Sequence, residues 1–175
     1  MHRRSSGSKL TSAPPDQGEV VEALLTASRA LVGVAARSLA GVDADVTLAQ
    51  FRTLMVLASR GPQRAVDVAT ELGVNPSTAT RMCDRLVRKG LIRRSRRAGD
   101  RRVVRLTLTP AGRELVDEVT RRRRQELSRL VAAIPPASYA ELKATLWAIS
   151  DAAGEPRESD WTVAWQAGPE ESAAG

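Results

Sequence analysis

The sequence predicts a mainly α-helical fold that carries one small β-hairpin. Between residues 19 and 153, apolar residues recur at the three-to-four spacing of amphipathic helices, and glycine or proline ends several of these runs. Residues 102–109 differ, because apolar and polar residues alternate there as they do in a half-buried strand. The 175 residues are enough for one domain with its own core.

The composition indicates a soluble, cytoplasmic globular protein, with 42% hydrophobic and 27% charged residues. No run approaches the roughly 18 apolar residues of a membrane span, and no apolar stretch follows the N-terminal arginines as in a secretory signal. A single cysteine, Cys83, excludes an internal disulfide framework. The single histidine, His2, gives no basis for a metal site. Because no phosphate loop, dinucleotide fingerprint or nucleophile elbow is present, we expect neither a cofactor nor an enzyme.

Positive charge is concentrated in one part of the chain. Residues 51–110 hold 14 Lys and Arg against 4 Asp and Glu, a net charge of +10, whereas the whole chain carries only +7. A local basic field attracts polyanions, so nucleic acid is the first candidate partner and an acidic membrane surface the second.

The N-terminal part is predicted to contain an arm and two helices. Residues 1–18 are rich in Ser, Gly and Pro and are expected to form a disordered basic arm. A first helix is expected within residues 19–46, closed by Gly41. A second begins at the capping box Thr47–Gln50 and stops at Gly61. Its inward residues are predicted to be Leu48, Phe51, Leu54, Met55 and Ala58.

Two short helices around a glycine turn follow, which is the helix-turn-helix pattern. The first covers residues 65–72, Gly73 and Val74 make the turn, and the second runs over residues 75–89. In the second helix Asn75 suits the N-cap, Pro76 the first turn and Gly90 the stop.

The second of these helices has two chemically different faces. Ala79, Met82, Cys83, Leu86 and Val87 are expected to face inward. The outward face begins with small hydroxyls, which permit close approach to the DNA major groove, and continues with arginines, which pair with guanine O6 and N7. A solvated basic face is the alternative. Asp84 is expected to orient Arg81, Arg85 or Arg88. The candidate DNA-binding residues are Pro76, Ser77, Thr78, Thr80, Arg81, Arg85 and Arg88.

A β-hairpin with arginines at its tip is predicted next. The strands are expected at residues 91–96 and 102–109, joined by a turn at residues 97–101, with Val104, Leu106 and Leu108 on the face toward the core. So much like charge at one turn suggests that the hairpin binds a polyanion. The candidate residues on this wing are Arg94, Arg96, Arg97, Asp100, Arg101 and Arg102.

The C-terminal part is predicted to contain two more helices and a tail. Thr109 and Pro110 cap a helix that runs to about Ile134, and a last helix covers residues 137–153. The first and the last two helices carry more apolar surface than one small domain can cover, so we expect a homodimer. The tail, residues 154–175, has 1 basic and 5 acidic residues.

Three features allow more than one interpretation. Cys83 could be a redox switch, but its inward position favours a buried structural thiol. The run Arg121–Arg124 either forms a solvated face, which we favour, or lines a cleft. Trp161 and Trp165 of the tail are expected to dock at the dimer region. A weaker hypothesis is that the acidic tail competes with DNA for the wing, which deletion of residues 154–175 would test.

The sequence closely resembles the multiple antibiotic resistance regulator (MarR) family of bacterial transcription factors. The resemblance spans about residues 19–153 and is carried by AVDVATELGVNPSTATRMCDRLVRKGLIRR and AGDRRVVRLTLTPAG. It implies a winged helix-turn-helix over residues 47–110, between dimerisation helices at 19–46 and 111–153. It also implies that Arg102 enters the minor groove, that Asp100 fixes the wing, and that Arg96, Arg97 and Arg101 contact phosphates.

The function that follows is a sequence-specific regulator of transcription. It would bind a pseudo-palindromic site on double-stranded DNA as a homodimer. The family resemblance alone implies a repressor that responds to a small-molecule effector. A non-specific DNA-coating protein remains an alternative, and so does the dimerisation module of a methyltransferase-type enzyme, although this chain contains no catalytic domain.

Overall fold

The computed structural model describes residues 16–42, 45–97, 100–158 and Trp161, without the side chains of residues 96, 97 and 100–102. These residues are mainly helical and include one two-stranded antiparallel sheet, which confirms the predicted fold class. Residues up to Gly33 and residues from Val34 onward form two separate units. In chain order the elements are α1 (Gln17–Ala40), α2 (Leu48–Arg60), α3 (Ala65–Leu72), α4 (Pro76–Arg88), β1 (Ile92–Arg97), β2 (Asp100–Leu108), α5 (Pro110–Val131), a 3-10 turn (Pro136–Ser138) and α6 (Tyr139–Ala152).

Local sequence signals set most of the helix ends. Thr47 and Gln50 form the predicted capping box, with the Gln50 amide donating to Thr47 Oγ1 at 3.2 Å and the Thr47 amide donating to Gln50 Oε1 at 3.1 Å. Thr109 Oγ1 accepts from the Gly112 amide at 3.1 Å at the start of α5. Asn75 occupies the N-cap position of α4, but its side chain makes no capping hydrogen bond.

One hydrophobic cluster joins α2, α3, α4, the hairpin and the first half of α5, and we call residues 48–119 the core body. Phe51, Leu54, Leu86, Ile92 and Val119 are among its fully buried side chains. Removing that apolar surface from water is the main force that holds these elements together.

Two residues expected in this core are exposed instead. Leu48 keeps 41% of its surface exposed because it is the first residue of α2, one turn before the buried part of the helix. Val104 keeps 37% exposed, since it pairs with Arg96 in the part of the hairpin beyond Leu106 and Leu108. Only the base of the hairpin is therefore anchored in the core.

The hairpin strands approach the tip more closely than the sequence predicted. β1 ends at Arg97 and β2 begins at Asp100, so Asp100 and Arg101 belong to a strand rather than to the turn. The ladder pairs Ile92 with Leu108 and Arg94 with Leu106, and its register becomes irregular between Arg96 and Arg97. Backbone pairing at the base continues on the other side, where the Leu106 amide donates to the Gln63 carbonyl at 2.7 Å.

The outer helices bury little of their apolar surface within this single chain. α5 ends at Val131, before the expected Ile134, and α6 begins at Tyr139 after the 3-10 turn. No residue of α6 is buried. In the N-terminal unit, the large apolar residues of α1 are exposed as well, namely Val20, Val21, Leu24, Leu25, Leu31 and Val32.

Within the described residues, no helix combines the length and apolar character that crossing a membrane would require. The same part of the chain contains no group of three or more His, Cys, Asp or Glu side chains that could hold a metal ion.

Candidate nucleic-acid interface

The inner face of α4 is held firmly against the core body. Ala79, Cys83 and Leu86 have no exposed surface, and the apolar spacing of this face is what the sequence predicted. Burial raises the pKa of the Cys83 thiol to about 11, although Arg94 opposes the shift. A thiol that stays protonated reacts slowly with oxidants, so the geometry favours the structural interpretation of Cys83.

The outer face of α4 presents the predicted contact residues to solvent. Arg81, Arg85 and Arg88 are exposed and make no ion pair with any of the described residues. Pro76, Ser77 and Thr80 are exposed at the start of the helix, whereas Thr78 is half-buried. Thr80 Oγ1 donates to the Pro76 carbonyl at 2.9 Å. The helix therefore offers three unpaired guanidinium groups beside small polar side chains.

The structure gives Asp84 a different partner from those expected. Asp84 Oδ1 accepts from Arg94 Nη2 of β1, rather than from Arg81, Arg85 or Arg88. Asp84 lies about two turns into α4, and Arg94 lies on the adjacent strand β1. Their side chains meet only because the hairpin folds back against the helix. This pair ties α4 to the hairpin and occupies Arg94, which was expected to be available for DNA.

The remaining candidate wing residues are placed by backbone alone. Arg96 and Arg97 lie at the end of β1, and Asp100, Arg101 and Arg102 lie at the start of β2, with Arg97 opposite Asp100 in the ladder. Their side chains lie outside the described part of the chain, so the expected role of Asp100 in fixing the wing stays a prediction.

The helix before α4 is fixed by its own ion pair. Asp67 Oδ2 accepts from the backbone amide of Arg64 at 3.0 Å and from Arg64 Nε at 2.9 Å. The hydrogen bond from the Arg64 side chain is the main cause that lowers the pKa of Asp67 to about 2. Gly73, with φ of 62°, then provides the left-handed turn into α4. The ion pair thus fixes the start of α3, and Gly73 turns the chain from α3 into α4.

A second site lies between α2 and α5, where two arginines of the run Arg121–Arg124 line a cavity, as in the alternative interpretation of that run. A cavity of about 450 Å³ is lined by residues of α2, α5, α6 and the C-terminal segment, among them Met55, Arg123, Leu127 and Trp161. Arg123 lies with its guanidinium carbon 5.8 Å from the centroid of the Phe51 ring. Burial, and then the charge of Arg52, lower the pKa of Arg123, while Glu158 opposes them.

The solvated-face interpretation of the arginine run is thus correct for only part of it. Arg121 and Arg124 are exposed, whereas Arg123 turns inward and its Nε is buried without a hydrogen-bond partner among the described residues. The sequence of four consecutive arginines does not show which of them faces the core, because that depends on where Phe51 of α2 lies.

The described part of the tail contacts the core body as well as the predicted dimerisation helices. Trp161 packs against the core body and, together with residues of α5 and α6, lines the cavity. Trp165 lies outside the described residues. Glu155 pairs with Arg52 and Glu158 with Arg124, so these two acidic residues contact α2 and α5 rather than the wing.

A helix-turn-helix followed directly by a hairpin packed at the C-terminal end of its second helix defines the class of winged helix-turn-helix proteins. The model of the MarR family matches residues 46–104, which contain α2, both helices of the helix-turn-helix and most of the wing. The chain belongs to the MarR family.

Known proteins resemble both the sequence and the fold. The chain is 37% identical over 87 residues to the HTH-type transcriptional repressor MdtR of Bacillus subtilis, a match that covers 50% of this chain and 56% of that protein. The chain thus spans a little over half the length of the curated relatives it matches. The crystal structure of RV1404 from Mycobacterium tuberculosis is 43% identical, with a TM-score of 0.75, covering 83% of this chain and 99% of that one. Streptococcus pneumoniae FabT, crystallised in complex with DNA, is 25% identical, with a TM-score of 0.66, covering 78% of this chain and 96% of FabT.

Proposed function

We propose that this protein is a sequence-specific regulator of transcription that binds double-stranded DNA as a homodimer. The observation that carries the proposal is the division of α4 into two faces. Ala79, Cys83 and Leu86 of its inner face are fully buried, and its outer face presents Arg81, Arg85 and Arg88 without ion-pair partners among the described residues. A rigid helix with free guanidinium groups beside small hydroxyls fits the major groove and the acceptor edge of guanine.

The wing supplies the second DNA contact in this proposal. Arg96, Arg97 and Arg101 would bind phosphates, and Arg102 would enter the minor groove, where a narrow groove concentrates negative potential. Asp84 and Arg94 support this arrangement, since their ion pair holds the hairpin beside the recognition helix. FabT, a structural relative, was crystallised with DNA bound.

A dimer accounts for the apolar surface that the single chain leaves in water. Leu146, Trp147 and Ile149 of α6 are each between 39% and 49% exposed. Clusters of exposed apolar residues on a helix without buried positions are typical of interfaces between subunits. Two-fold symmetry would place two recognition helices about one DNA turn, near 34 Å, apart, so the site should be a pseudo-palindrome.

Repression and control by an effector complete the proposed function. The relative MdtR is named a repressor, and a regulator bound over a promoter blocks access to it. The cavity between α2 and α5 is large enough for a small molecule. Two buried donors, Arg123 Nε and Trp161 Nε1, lack hydrogen-bond partners in the described part of the chain and line this cavity. An effector with an acidic group on an apolar body would complement them.

Footprinting on the DNA upstream of the protein's own gene tests the proposal. We expect protection of one imperfect palindrome, with binding that competitor DNA of random sequence does not abolish. A continuous footprint without a preferred site would instead indicate a DNA-coating protein. Absence of any footprint at low salt would contradict DNA binding altogether.

A further inference from the structure

The first described residues after α6 form a strap across the core body. We define the strap as residues 154–158 together with Trp161. Glu155 Oε1 accepts from Arg52 Nη1 of α2 at 2.9 Å, and the Gly154 carbonyl accepts from Arg60 Nη2 of α2 at 3.1 Å. Glu158 Oε1 lies 2.8 Å from Arg124 Nη2 of α5. The strap is therefore attached to two helices of the body by charged or polar contacts.

The strap is also attached to α6, the helix from which it emerges. The guanidinium carbon of Arg157 lies 4.7 Å from the centroid of the Trp147 ring, and Arg157 Nη2 lies 3.3 Å from Asp151 Oδ2. An arginine stacked on an aromatic face adds a cation–π attraction to its ion pair. One short segment thus connects α6 with α2 and α5.

The strap reaches the cavity at its C-terminal end. Trp161 and Glu158 both line the cavity, and Trp161 packs on the hydrophobic cluster of the core body. Trp161 Nε1 is buried, and the residue as a whole is half-buried. Lifting the strap would remove this part of the wall and expose Trp161 to water.

The contact between the strap and α2 extends to the helix-turn-helix through Arg60. Arg60, which donates to the strap carbonyl, also pairs with Glu71 of α3, where Arg60 Nη2 and Glu71 Oε2 lie 2.9 Å apart. The guanidinium of Arg60 therefore joins the strap to α3, the helix that directly precedes α4. α2 itself packs into the core beside α3 and α4.

We propose that the strap is a positioning element that couples the position of α6 to that of α3 and α4, the two helices of the helix-turn-helix. When docked, it holds α6 to α2 and α5 and forms one wall of the cavity. When released, it removes that wall and lets α3 and α4 move relative to α6. DNA binding then weakens, because the spacing of the two DNA-binding regions of the dimer is no longer preorganised. This inference rests on the proposed function for its DNA readout.

Neutralising the two strap carboxylates tests the proposal without disturbing the core. The variant Glu155→Gln/Glu158→Gln is made in full-length protein whose other tryptophans are replaced (Trp147→Phe, Trp165→Phe), so that fluorescence reports Trp161 alone. We expect a shift of emission to longer wavelength and stronger quenching by acrylamide. The matched control Glu22→Gln/Glu141→Gln removes two exposed carboxylates elsewhere and should leave Trp161 unchanged.

DNA affinity is then measured for the same two pairs of changes in otherwise unaltered protein. Because exposed ion pairs are weak, we expect the strap variant to bind its footprinted site about 2- to 10-fold less tightly, and the control to bind as before. The charge-exchange variant Arg52→Glu/Glu155→Arg should bind DNA more tightly than Arg52→Glu alone, because the exchanged charges can pair again. A purely structural loss would not be restored in this way.

The outcomes separate the two proposals. If the parent protein binds its site and the strap variant binds equally well, the positioning role is wrong while the proposed function stands. If Trp161 is quenched equally in strap variant and parent, the strap is not held by these carboxylates and the proposal is overturned. If the parent does not bind DNA, the proposed function fails, and the quenching comparison alone decides whether the two carboxylates hold the strap on the body.

Discussion

The core body and α6 both contain large apolar residues, yet they differ in how they are stabilised. The core body buries Phe51, Leu54 and Leu86 completely within one chain. α6 buries no residue and exposes Leu146, Trp147 and Ile149. Since helix propensity alone stabilises a 14-residue helix only marginally, α6 depends on contacts made with something else, whereas the core body supplies its own.

The largest effect should come from a cavity in the core body. Leu54→Ala removes a side chain with no exposed surface, so we expect a loss of about 2–5 kcal/mol in the free energy of unfolding. Leu48→Ala, in the same helix but 41% exposed, is the matched control and should cost much less. Urea denaturation measures both. Equal losses would contradict the separation of α2 into buried and exposed leucines.

Charges placed on α6 should affect assembly more than folding. We expect Leu146→Glu/Ile149→Glu to raise the dimer dissociation constant about 10- to 100-fold, because apolar area would no longer be removed from water. Sedimentation velocity measures the association state. Lys143→Glu, an exposed position on the same helix, controls for charge. A variant that remains dimeric at low concentration would place the interface elsewhere.

Substitutions on the proposed DNA-binding surface of α4 and the wing should separate base recognition from phosphate binding. Arg81→Ala is expected to cost about 1–3 kcal/mol on the specific site and to relax base preference. Arg97→Ala should weaken all sequences alike and reduce the salt slope by about one. Binding titrations on specific and random DNA at several salt concentrations distinguish them. If both variants lost the two kinds of binding equally, the assignment of separate roles would be wrong.

The smallest effect concerns the inner face of α4. Burial raises the pKa of Cys83 to about 11. The contribution of the neutral, buried thiol to stability is therefore complete below the pKa of an unfolded thiol, about 8.5, and is lost as the pH rises toward 11. Alkylation by iodoacetamide should be slow in the native protein until that range and fast in urea. Rapid native alkylation at neutral pH would contradict the buried assignment.

The order of the elements could be read from the sequence because the signals are local. Thr47 with Gln50, and Thr109 with Pro110, each fix a helix start through hydrogen bonds or dihedral preferences within four residues. The outward and inward faces of α4 follow from helical periodicity alone. The extent of the hairpin was less well predicted, since strand ends near a turn depend on ladder pairing as well as on alternation.

The pairings between distant residues could not be read in this way. Asp84 faces Arg94 rather than a neighbour on its own helix, and Arg123 alone of four consecutive arginines turns toward Phe51. Gly112 is another case, since a Cβ there would collide with the carbonyl oxygen of Leu91. Helix propensity would favour alanine at that position, and only the packing of α5 against the segment between α4 and β1 explains the glycine.

By itself, then, the sequence determined the fold class, the order of helices and hairpin, and the basic face of α4, because periodicity, caps and charge density act over a few residues. Only the tertiary structure decided which arginines are paired, that the C-terminal segment crosses α2 and α5, and that Trp161 lines a cavity. Such contacts join residues up to 103 positions apart, and their energy depends on burial and geometry that no short stretch of sequence encodes.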